Sequence, residues 1–431
     1  MSREFKNSGI EWVKQIPSNW NIIKGRHLLF LPNRPVRPTD DVVTCFRDGE
    51  VILRSERRTE GFTMSDKEIG YQGINKGDIV IHGMDGFAGA MGVSKSTGKG
   101  SPVLIVCNPK ENDFPQYIIY YLRSLAMTNV FLALATGIRE RSCDLRWKKI
   151  AELPFLRPSF IEQQKIANYL DKVCVEVDEI IALQEQMIEE LKAYKQSVIT
   201  EAVTKGLNPD MPMKDSGIDW IGEVPEHWNL IHFYKTNWIR ARLGWKGLKA
   251  DEYTETGYPF LSAFNIINDK LVWEDLNFIN QERYDESPEI KLSIGDLLLV
   301  KDGAGIGKCA VVDELPFGEA TVNSSLAVVS PNREIVDPHF QYYYFKSAIF
   351  QNTIWLLKIG MGVPHLTQEN MRDIIIPNPP LSEQQSIASY LDTKCAEIDA
   401  LIAIKQAKIE ELKEYKKSVI YEYVTGKKEV V

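Results

Sequence analysis

Apolar residues recur at helical spacing in two long stretches of this chain. The heptad pattern runs from Leu170 to Val198 and again from Leu391 to Val419, within stretches that contain no Gly or Pro. A period of 3.5 to 3.6 residues predicts a long amphipathic helix in each stretch, about 65 Å in length. Because each helix carries an apolar stripe, we expect the two helices to pack on each other as an antiparallel or crossed pair.

The two helical stretches are copies of each other. Residues 162–204 and 383–425 align without a gap at an offset of 221, with 26 of 43 positions identical. Residues 6–21 and 214–229 form a second, shorter repeat, whereas the stretches between these repeats match only faintly. A chain that repeats its scaffold and varies what the scaffold carries is expected to present two different recognition surfaces in one geometry.

The divergent stretches carry short apolar runs that predict strands, and aromatic amphipathic segments that predict helices. Strands are predicted at residues 77–83, 103–109, 295–303 and 326–332, and helices at residues 117–124 and 340–347. Gly-centred loops follow at residues 135–142 and 358–367. Since the order of elements is shared, we interpret the two stretches as diverged copies of one α/β domain.

The starts of the two long helices are marked by prolines and by the spacing of capping boxes. Pro158 and Pro380 end the preceding extended segments. Ser159 is followed by Glu162, and Ser382 by Gln385. This spacing predicts that Ser159 and Ser382 cap the helices.

Composition indicates a globular protein with an uneven distribution of charge. At 431 residues, with 44% hydrophobic and 26% charged residues, two or more domains are expected. The formal net charge is −8, but residues 1–150 carry 22 Lys and Arg against 16 Asp and Glu, whereas residues 214–379 carry 15 against 23. Because phosphate contacts depend on local patches, the net charge does not exclude DNA binding. It argues against strong non-specific binding by the second stretch alone.

Cysteine usage and the absence of long apolar runs predict a cytoplasmic protein. The six cysteines form no C-x-x-C pair and have no clustered His, so we expect reduced thiols, without a zinc site or a disulfide framework. No apolar run approaches about 18 residues, so no membrane-spanning helix is expected. The first residues lack the apolar core of a signal peptide.

Candidate catalytic motifs fail on their spacing. The run GAGIGK at residues 303–308 has Asp302 and Cys309 where a P-loop needs Gly and Ser or Thr. The turn Asn378-Pro379-Pro380-Leu381 lacks the aromatic fourth residue of a base-flipping amino-methyltransferase and is interpreted as a helix-start turn. No Ser-His-Asp set or H-E-x-x-H motif can be assembled. We therefore expect no catalysis and no bound cofactor.

Basic and amide residues near glycine-rich loops are the candidate DNA contacts. Arg suits bidentate contact to guanine and phosphate, and Gln suits adenine. Loop arginines are also common in surface salt bridges, so that alternative stays open. The candidates are Arg54, Arg57, Arg58, Arg139, Arg141 and Arg146 in the first half and Lys358, His365 and Gln368 in the second.

Three repeated motifs carry a resemblance to a known family. They are E-Q-Q-x-I-A-x-Y-L-D (162–171 and 383–392), I-E-E-L-K-x-Y-K-x-S-V-I (188–199 and 409–420) and W-x-x-x-x-P-x-x-W (12–20 and 220–228). With these motifs the whole chain resembles the specificity subunits of type I restriction–modification systems. The resemblance implies an α+β fold: two α/β target recognition domains separated by two long antiparallel, coiled-coil helices, with a pseudo-twofold internal repeat. The implied parts are recognition domain 1 (1–158), spacer helix 1 (159–206), recognition domain 2 (207–379) and spacer helix 2 (380–431).

The resemblance also implies the partners. Each recognition domain would read one half of a bipartite double-stranded DNA target, two methyltransferase subunits would dock on the helices, and restriction (motor) subunits would join them. S-adenosylmethionine, ATP and Mg would belong to those partners, and this chain would be non-catalytic. The alternatives are a coiled-coil adaptor without catalysis and an orphan DNA-binding regulator. A self-contained methyltransferase is excluded because the chain lacks a cofactor loop.

The apolar stripe of the helices offers candidate docking positions for the partners. These are Ile181, Ile188, Ile402 and Ile409, which lie beside the heptad positions. The same residues would equally serve as the core between the two helices.

Overall fold

The computed structural model describes residues 3–57, 69–133, 145–241, 252–357 and 365–430. The chain divides into two compact units. Unit 1 consists of Met1–Glu185 and Gln406–Val431, and unit 2 consists of Gln186–Lys405. Each unit contains one divergent stretch together with parts of both repeated helical segments.

Unit 1 is built of short strands and short helices, besides its parts of the two long helices. Its strands are β1 (Phe5–Ile10), β2 (Val13–Pro17), β3 (Asn21–Lys24), β4 (Leu29–Phe30), β5 (Val43–Cys45), β6 (Val51–Leu53), β7 (Gln72–Ile74), β8 (Ile79–His82), β9 (Met91–Val93), β10 (Gly98–Gly100), β11 (Leu104–Pro109) and β12 (Pro154–Arg157). Its short helices are α1 (Gly25–Leu28), α2 (Pro115–Met127), α3 (Val130–Ala133) and α4 (Trp147–Glu152).

Both faces of the central sheet of unit 1 are buried. Strands β4, β11, β8 and β9 pair in that order and are antiparallel. Ile79 and Ile81 of β8 lie in one core with helix α2, whereas Val80 lies in a second core with Val106 of β11. A strand that is covered on both sides has no position that needs a polar side chain, which explains the uninterrupted apolar run in the sequence.

Two long helices extend over both units. They are α5 (Phe160–Lys205) and α11 (Leu381–Val424). Within unit 1, Lys416 Nζ lies 2.6 Å from Asp178 Oδ2, and the rings of Tyr169 and Tyr423 lie 4.5 Å apart. Residue numbers rise on α5 while those of the partners on α11 fall, so the two helices are antiparallel there. This confirms the antiparallel form of the expected helix pair.

The helix contact within unit 2 is the repeat-related copy of a contact within unit 1. Lys195 Nζ lies 2.7 Å from Asp399 Oδ2. Lys195 and Asp399 stand 221 residues from Lys416 and Asp178, respectively. The internal repeat therefore includes the contacts between the helices as well as their sequences.

Unit 2 contains the corresponding elements of the second divergent stretch. Its strands are β13 (Met213–Asp215), β14 (Glu223–Pro225), β15 (Asn229–His232), β16 (Asn237–Arg240), β17 (Tyr258–Leu261), β18 (Ile266–Ile267), β19 (Lys270–Leu271), β20 (Asn277–Ile279), β21 (Leu297–Val300), β22 (Cys309–Val311), β23 (Thr321–Val322), β24 (Leu326–Pro331) and β25 (Ile375–Asn378). Its short helices are α6 (Phe233–Thr236), α7 (Gln281–Asp285), α8 (Pro338–Lys346), α9 (Ala348–Leu357) and α10 (Gln368–Arg372).

The central sheet of unit 2 repeats the strand order of unit 1. Strands β16, β24, β21 and β22 pair as β4, β11, β8 and β9 do. Leu297 and Leu299 lie in one core with helix α8, and Leu298 and Val300 lie in another. The predicted strands and aromatic helices of both stretches are confirmed, and so is their shared order.

The predicted helix starts are correct for one copy and wrong for the other. Glu162 N–H donates to Ser159 Oγ at 3.3 Å, so Ser159 caps α5. Helix α11 begins at Leu381, which places Ser382 inside the first turn. In the first turn of α11 the Glu383 N–H donates to the backbone oxygen of Pro380 at 2.9 Å, and not to the Ser382 side chain. Among the helices in the described part of the chain, none is both long and apolar enough to cross a membrane.

Candidate nucleic-acid interface

The strands at the centre of unit 1 end in loops that hydrogen bonds hold together. Gly83, directly after β8, donates its N–H to Val103 O and accepts from Leu145 N–H, each at 2.8 Å. This joins three chain segments at one end of the sheet. We call residues 83–90, 101–103 and 145–147 the loop end of unit 1.

The central sheet of unit 2 ends in the same construction. Lys301, directly after β21, donates its N–H to Ser325 O and accepts from Leu366 N–H, each at 2.9 Å. Lys301 therefore corresponds to Gly83, and Leu366 corresponds to Leu145. We call residues 262–265, 301–308, 323–325 and 365–368 the loop end of unit 2.

Glycines shape the hairpin loops at both loop ends. Gly89 and Gly307 have φ values of 95° and 91° and occupy the same place in their hairpins. A Cβ on Gly307 would lie 2.5 Å from Gln351 Oε1, and a Cβ on Gly89 would lie 3.0 Å from Arg47 O. The GAGIGK run is thus the loop between β21 and β22, and its last glycine, Gly307, adopts a positive φ that favours glycine.

A cleft of about 540 Å³ opens beside the loop end of unit 1. It combines the side chain of Met84, which is 57% exposed, with the polar groups of Gln72 and Arg146. Arg146 precedes the first residue of α4. Apolar, amide and guanidinium groups together match the methyl, donor and acceptor groups that base edges present in a groove. The cleft is lined by Leu31, Gln72, Gly83, Met84, Pro102, Val103, Leu104, Ile105, Val106, Leu145, Arg146 and Trp147.

His82 holds the turn that carries Met84. Asp85 N–H donates to His82 Nδ1 at 3.0 Å, and Arg47 Nη2 lies 2.8 Å from Asp85 Oδ1. Burial lowers the pKa of His82 below its ordinary value, and the Asp85 carboxylate offsets this only in part. A neutral ring is what the turn needs, because Nδ1 must accept a hydrogen bond.

Arg57 is engaged by neighbouring groups of unit 1. Its Nη1 lies 2.6 Å from Asp48 Oδ2 and 3.3 Å from Glu50 Oε2, and its guanidinium lies 4.4 Å from the centre of the Phe46 ring. Burial would raise the pKa of Asp48, but the Glu50 amide and the Arg57 guanidinium together hold it below its ordinary value. The salt-bridge alternative therefore describes Arg57 in the free protein.

The other predicted DNA contacts fall into three groups. Arg146 belongs to the loop end of unit 1, and His365 and Gln368 belong to that of unit 2. Arg54 lies apart from these residues and donates from Nε to Thr44 Oγ1 at 3.2 Å. The remaining candidates, Arg58, Arg139, Arg141 and Lys358, lie outside the described residues. For all of these residues, DNA contact stays a prediction.

A carboxylate stands between two basic groups at the loop end of unit 2. Lys301 Nζ lies 2.9 Å from Asp302 Oδ2, and His365 Nδ1 is hydrogen-bonded to Asp302 Oδ1. Thr367 caps α10 by accepting from Asn370 N–H at 3.0 Å, which places Gln368 at the first position of that helix. The loop end of unit 2 therefore carries both hydrogen-bond donors and hydrogen-bond acceptors on short segments that are held in place by hydrogen bonds.

The repeated glutamines fasten each unit to its long helix. Gln163 Oε1 accepts from Phe114 N–H at 2.8 Å, and its Nε2 donates to Asp113 Oδ1 at 2.7 Å. Gln384 Oε1 accepts from Asp337 N–H at 2.9 Å. Both glutamine side chains are buried, so the E-Q-Q motif serves the scaffold.

A second pair of repeated contacts joins the same elements. Tyr120 Oη–H donates to Asp171 Oδ1, and Tyr343 Oη–H donates to Asp392 Oδ1, each at 2.7 Å. Burial is the main cause that raises the pKa of both tyrosines well above the ordinary value, and the adjacent carboxylates raise it further. The hydroxyls therefore stay protonated and keep donating.

The predicted docking isoleucines differ in exposure. Ile188 and Ile409 are buried in the chain by itself, whereas Ile181 and Ile402 are half-buried. Partner binding by these four residues stays a prediction. More exposed apolar side chains occur in repeat-related pairs, namely Ile180 with Leu401, Leu183 with Ile404 and Tyr194 with Tyr415.

Sequence reasoning missed these exposed pairs and one further residue. The offset of 221 would have shown that the pairs are apolar in both copies. The further residue is Phe264, which is 90% exposed at the loop end of unit 2. The sequence feature that could have indicated Phe264 is the spacing of Ser262 and Asn265, which form a capping box around a turn directly after a strand. Within the described ranges, no three His, Cys, Asp or Glu side chains are grouped so as to hold a metal ion.

Comparison with known proteins gives matches to type I restriction enzyme specificity subunits. Residues 245–414 match the family model described as type I restriction modification DNA specificity domain. The MjaVIII specificity subunit of Methanocaldococcus jannaschii is 24% identical over 96% of this chain and 94% of its own length. The EcoKI specificity subunit of Escherichia coli K12 is 29% identical over 48% of this chain and 44% of its own length.

Solved structures share the fold. A chain from a study of complex assembly and conformational transition of the type I R-M system has a TM-score of 0.74 at 16% identity, covering 95% of this chain and 99% of that one. The HsdS subunit of Thermoanaerobacter tengcongensis has a TM-score of 0.55 at 15% identity, covering 95% and 98%. Residues 245–414 thus match the DNA specificity domain of type I restriction–modification systems, nearly the whole chain is similar to a type I specificity subunit, and the fold is that of the solved chains.

Proposed function

We propose that this chain reads DNA sequence for a type I restriction–modification complex, with each unit contacting one half of a bipartite double-stranded target. The observation that carries the proposal is that the two loop ends are built alike but present different side chains. Met84 of unit 1 corresponds to Asp302 of unit 2, and Arg146 corresponds to Thr367. A repeated scaffold whose contact residues differ is suited to reading two different half-sites, because base contacts specify the sequence.

Particular contacts follow from the chemistry of these groups. Arg146 suits guanine, Gln368 suits adenine, and the Asp302 carboxylate suits the amino group of cytosine. The imidazole of His365 is hydrogen-bonded to Asp302 and lies beside these groups. The arginines on the first unit's loops and Lys358 would add phosphate and base contacts around these residues.

The chain has no catalytic part in this proposal. Methyltransferase subunits would dock on α5 and α11, where the repeat-related pairs Leu183 with Ile404 and Tyr194 with Tyr415 expose apolar surface, and restriction subunits would join that assembly. S-adenosylmethionine, ATP and Mg would be held by those partners. Because this chain carries a net charge of −8, the partners would also supply positive charge around the duplex.

The test is to map methylated adenines in DNA from cells that express this chain with its methyltransferase partner. We expect one bipartite motif with two defined halves and an unspecified gap. Arg146→Ala should relax only one half, and Asp302→Asn should relax only the other. A base-reading contact of this kind contributes about 1–3 kcal/mol of discrimination.

Other outcomes identify the alternatives. If the chain co-purifies with the methyltransferase but no adenine motif depends on it, the chain is a structural adaptor. Binding to a specific duplex without any methyltransferase partner would instead indicate an orphan regulator. A motif in which both variants relax the same half would contradict the assignment of one half-site to each unit.

A further inference from the structure

A large aromatic side chain is presented to solvent at the loop end of unit 2. Phe264 is 90% exposed and lies in the short turn Ala263–Asn265 that follows β17. The neighbouring strands β17, β21 and β23 all end on this side of the unit, because Asn323 N–H donates to Leu261 O and Lys301 N–H donates to Ser325 O. The ring therefore stands on the surface that carries Asp302, His365 and Gln368.

The turn that carries the ring is fixed by four hydrogen bonds. Phe264 N–H donates to Ser262 Oγ at 3.3 Å, and Ser262 N–H donates to Asn265 Oδ1 at 2.9 Å. Ala263 N–H donates to Ser325 Oγ at 3.3 Å, and that hydroxyl donates to Asn323 Oδ1 at 2.6 Å. These polar side chains are used to hold the backbone, so the turn presents an apolar ring on a stiff base.

The corresponding position of unit 1 carries Phe46, whose ring packs against a flat polar group. Phe260 pairs in parallel with β23, and Val42 makes the corresponding parallel bridge to β10. Phe46 stands four residues after Val42, as Phe264 stands four residues after Phe260. The flat guanidinium of Arg57 lies 4.4 Å from the Phe46 ring centre. Both units thus place an aromatic ring at this point, and in unit 2 its faces are open to solvent.

We propose that Phe264 acts as an apolar wedge that packs against a nucleobase in the half-site read by unit 2. The inference rests on the proposed function, since its ligand is the double-stranded target. Apolar side chains inserted at a base step partly unstack it, and every base offers a flat face to an aromatic ring. A ring on a rigid turn loses little freedom on binding, which favours this use over a role as a flexible surface residue.

The experiment uses the full-length chain assembled with its methyltransferase partner and a duplex that carries the mapped target. 2-Aminopurine is placed at successive positions of the second half-site, and its fluorescence reports local unstacking. We expect a rise at one position with the wild-type complex. Phe264→Ala should abolish that rise and weaken target binding by 10- to 100-fold, as expected for loss of one base–aromatic contact. Phe264→Leu, which keeps an apolar wedge, should retain most of the rise.

Ile294→Ala is the matched control. Ile294 is 53% exposed on the opposite end of the central sheet, before β21, and its loss should leave affinity and fluorescence unchanged. Wild-type affinity and an unchanged rise in Phe264→Ala would overturn the proposal. So would an equal loss of affinity for target and unrelated duplexes with the rise preserved, which indicates a backbone contact. If the wild-type complex bound no bipartite target, the proposed function itself would fail, before any variant was compared.

Discussion

Gln163 and Gln384 show that a residue can be repeated in a recognition protein without taking part in recognition. Gln384 donates from Nε2 to Ile335 O and Pro379 O, each at 2.9 Å, and its Oε1 accepts from Asp337 N–H. The sequence marked these positions as shared but could not give this role, because several of the partner groups, such as Ile335 O and Asp337 N–H, lie nearly 50 residues away in the chain. The residues proposed to read DNA differ in this respect, since Met84 and Asp302 occupy corresponding positions but are of different types.

The first prediction concerns the buried amide. Gln384→Leu keeps the size of the side chain but leaves the Asp337 amide and two carbonyls without their partner. We expect it to lower the free energy of unfolding of unit 2 by about 2–4 kcal/mol, since each buried unsatisfied group costs about 1–3 kcal/mol. Chemical denaturation measures this. The adjacent Gln385→Leu is the control, because Gln385 is exposed, and we expect it to change stability by less than about 0.5 kcal/mol. Equal effects of the two variants would contradict the assigned role.

His82 gives a prediction about pH. Its pKa is lowered in the folded chain, so the folded state disfavours the proton that the unfolded state takes up near its ordinary value of about 6.5. The contribution of neutral His82 to the free energy of unfolding is therefore complete above pH 6.5, and it is lost as the pH falls through the lowered pKa of the folded state. We expect unit 1 to lose stability between pH 7 and pH 5, and His82→Gln, which cannot titrate, to lose less. Denaturation across this range, with an NMR titration of His82, checks both points; a pKa at or above 6.5 would contradict the prediction.

The elements divide into those that follow from local pattern and those that do not. The long helices and the strands at Ile79–His82 and Leu297–Val300 were predictable, because heptad spacing and uninterrupted apolar runs are direct consequences of how they are buried. The start of α11 was not, since Ser382 has the spacing of a cap but Pro380 supplies the acceptor. Loop positions such as Phe264 escape prediction because hydrogen bonds from distant segments set their exposure.

The helices also give a prediction about docking. Leu183 and Ile404 are 57% and 63% exposed, whereas Ile188 and Ile409 are each 6% exposed. We expect Leu183→Asp with Ile404→Asp to reduce co-purification of the methyltransferase partner at least tenfold while thermal unfolding stays unchanged. Ile188→Asp with Ile409→Asp should instead destabilise the chain by several kcal/mol, because it buries charge without a partner. Full co-purification with the first variant would remove this helical surface from the interface.

At the scale of the whole molecule, the repeat also fixes how far apart the ion-paired residues lie along each long helix. Asp178 and Lys195 lie 17 residues apart on α5, and Asp399 and Lys416 lie 17 residues apart on α11. An insertion in one helix alone lengthens one interval and leaves the other unchanged, so the two intervals no longer match. An equal insertion in both helices keeps the intervals matched, and this difference provides a test of whether the helices set the gap in the DNA target.

We expect seven residues inserted after Leu183 and seven after Ile404 to lengthen the unspecified gap of the target by about three base pairs. Each helical residue adds about 1.5 Å, so seven add about 10 Å, and a heptad returns the apolar stripe to nearly the same face. Four residues inserted after Leu183 alone should change the gap or abolish binding, because the insertion breaks the matched intervals and rotates the stripe. The gap is read from the methylated-adenine motif of each variant. A paired insertion that methylates the original motif with the original gap would show that the helices do not set the spacing.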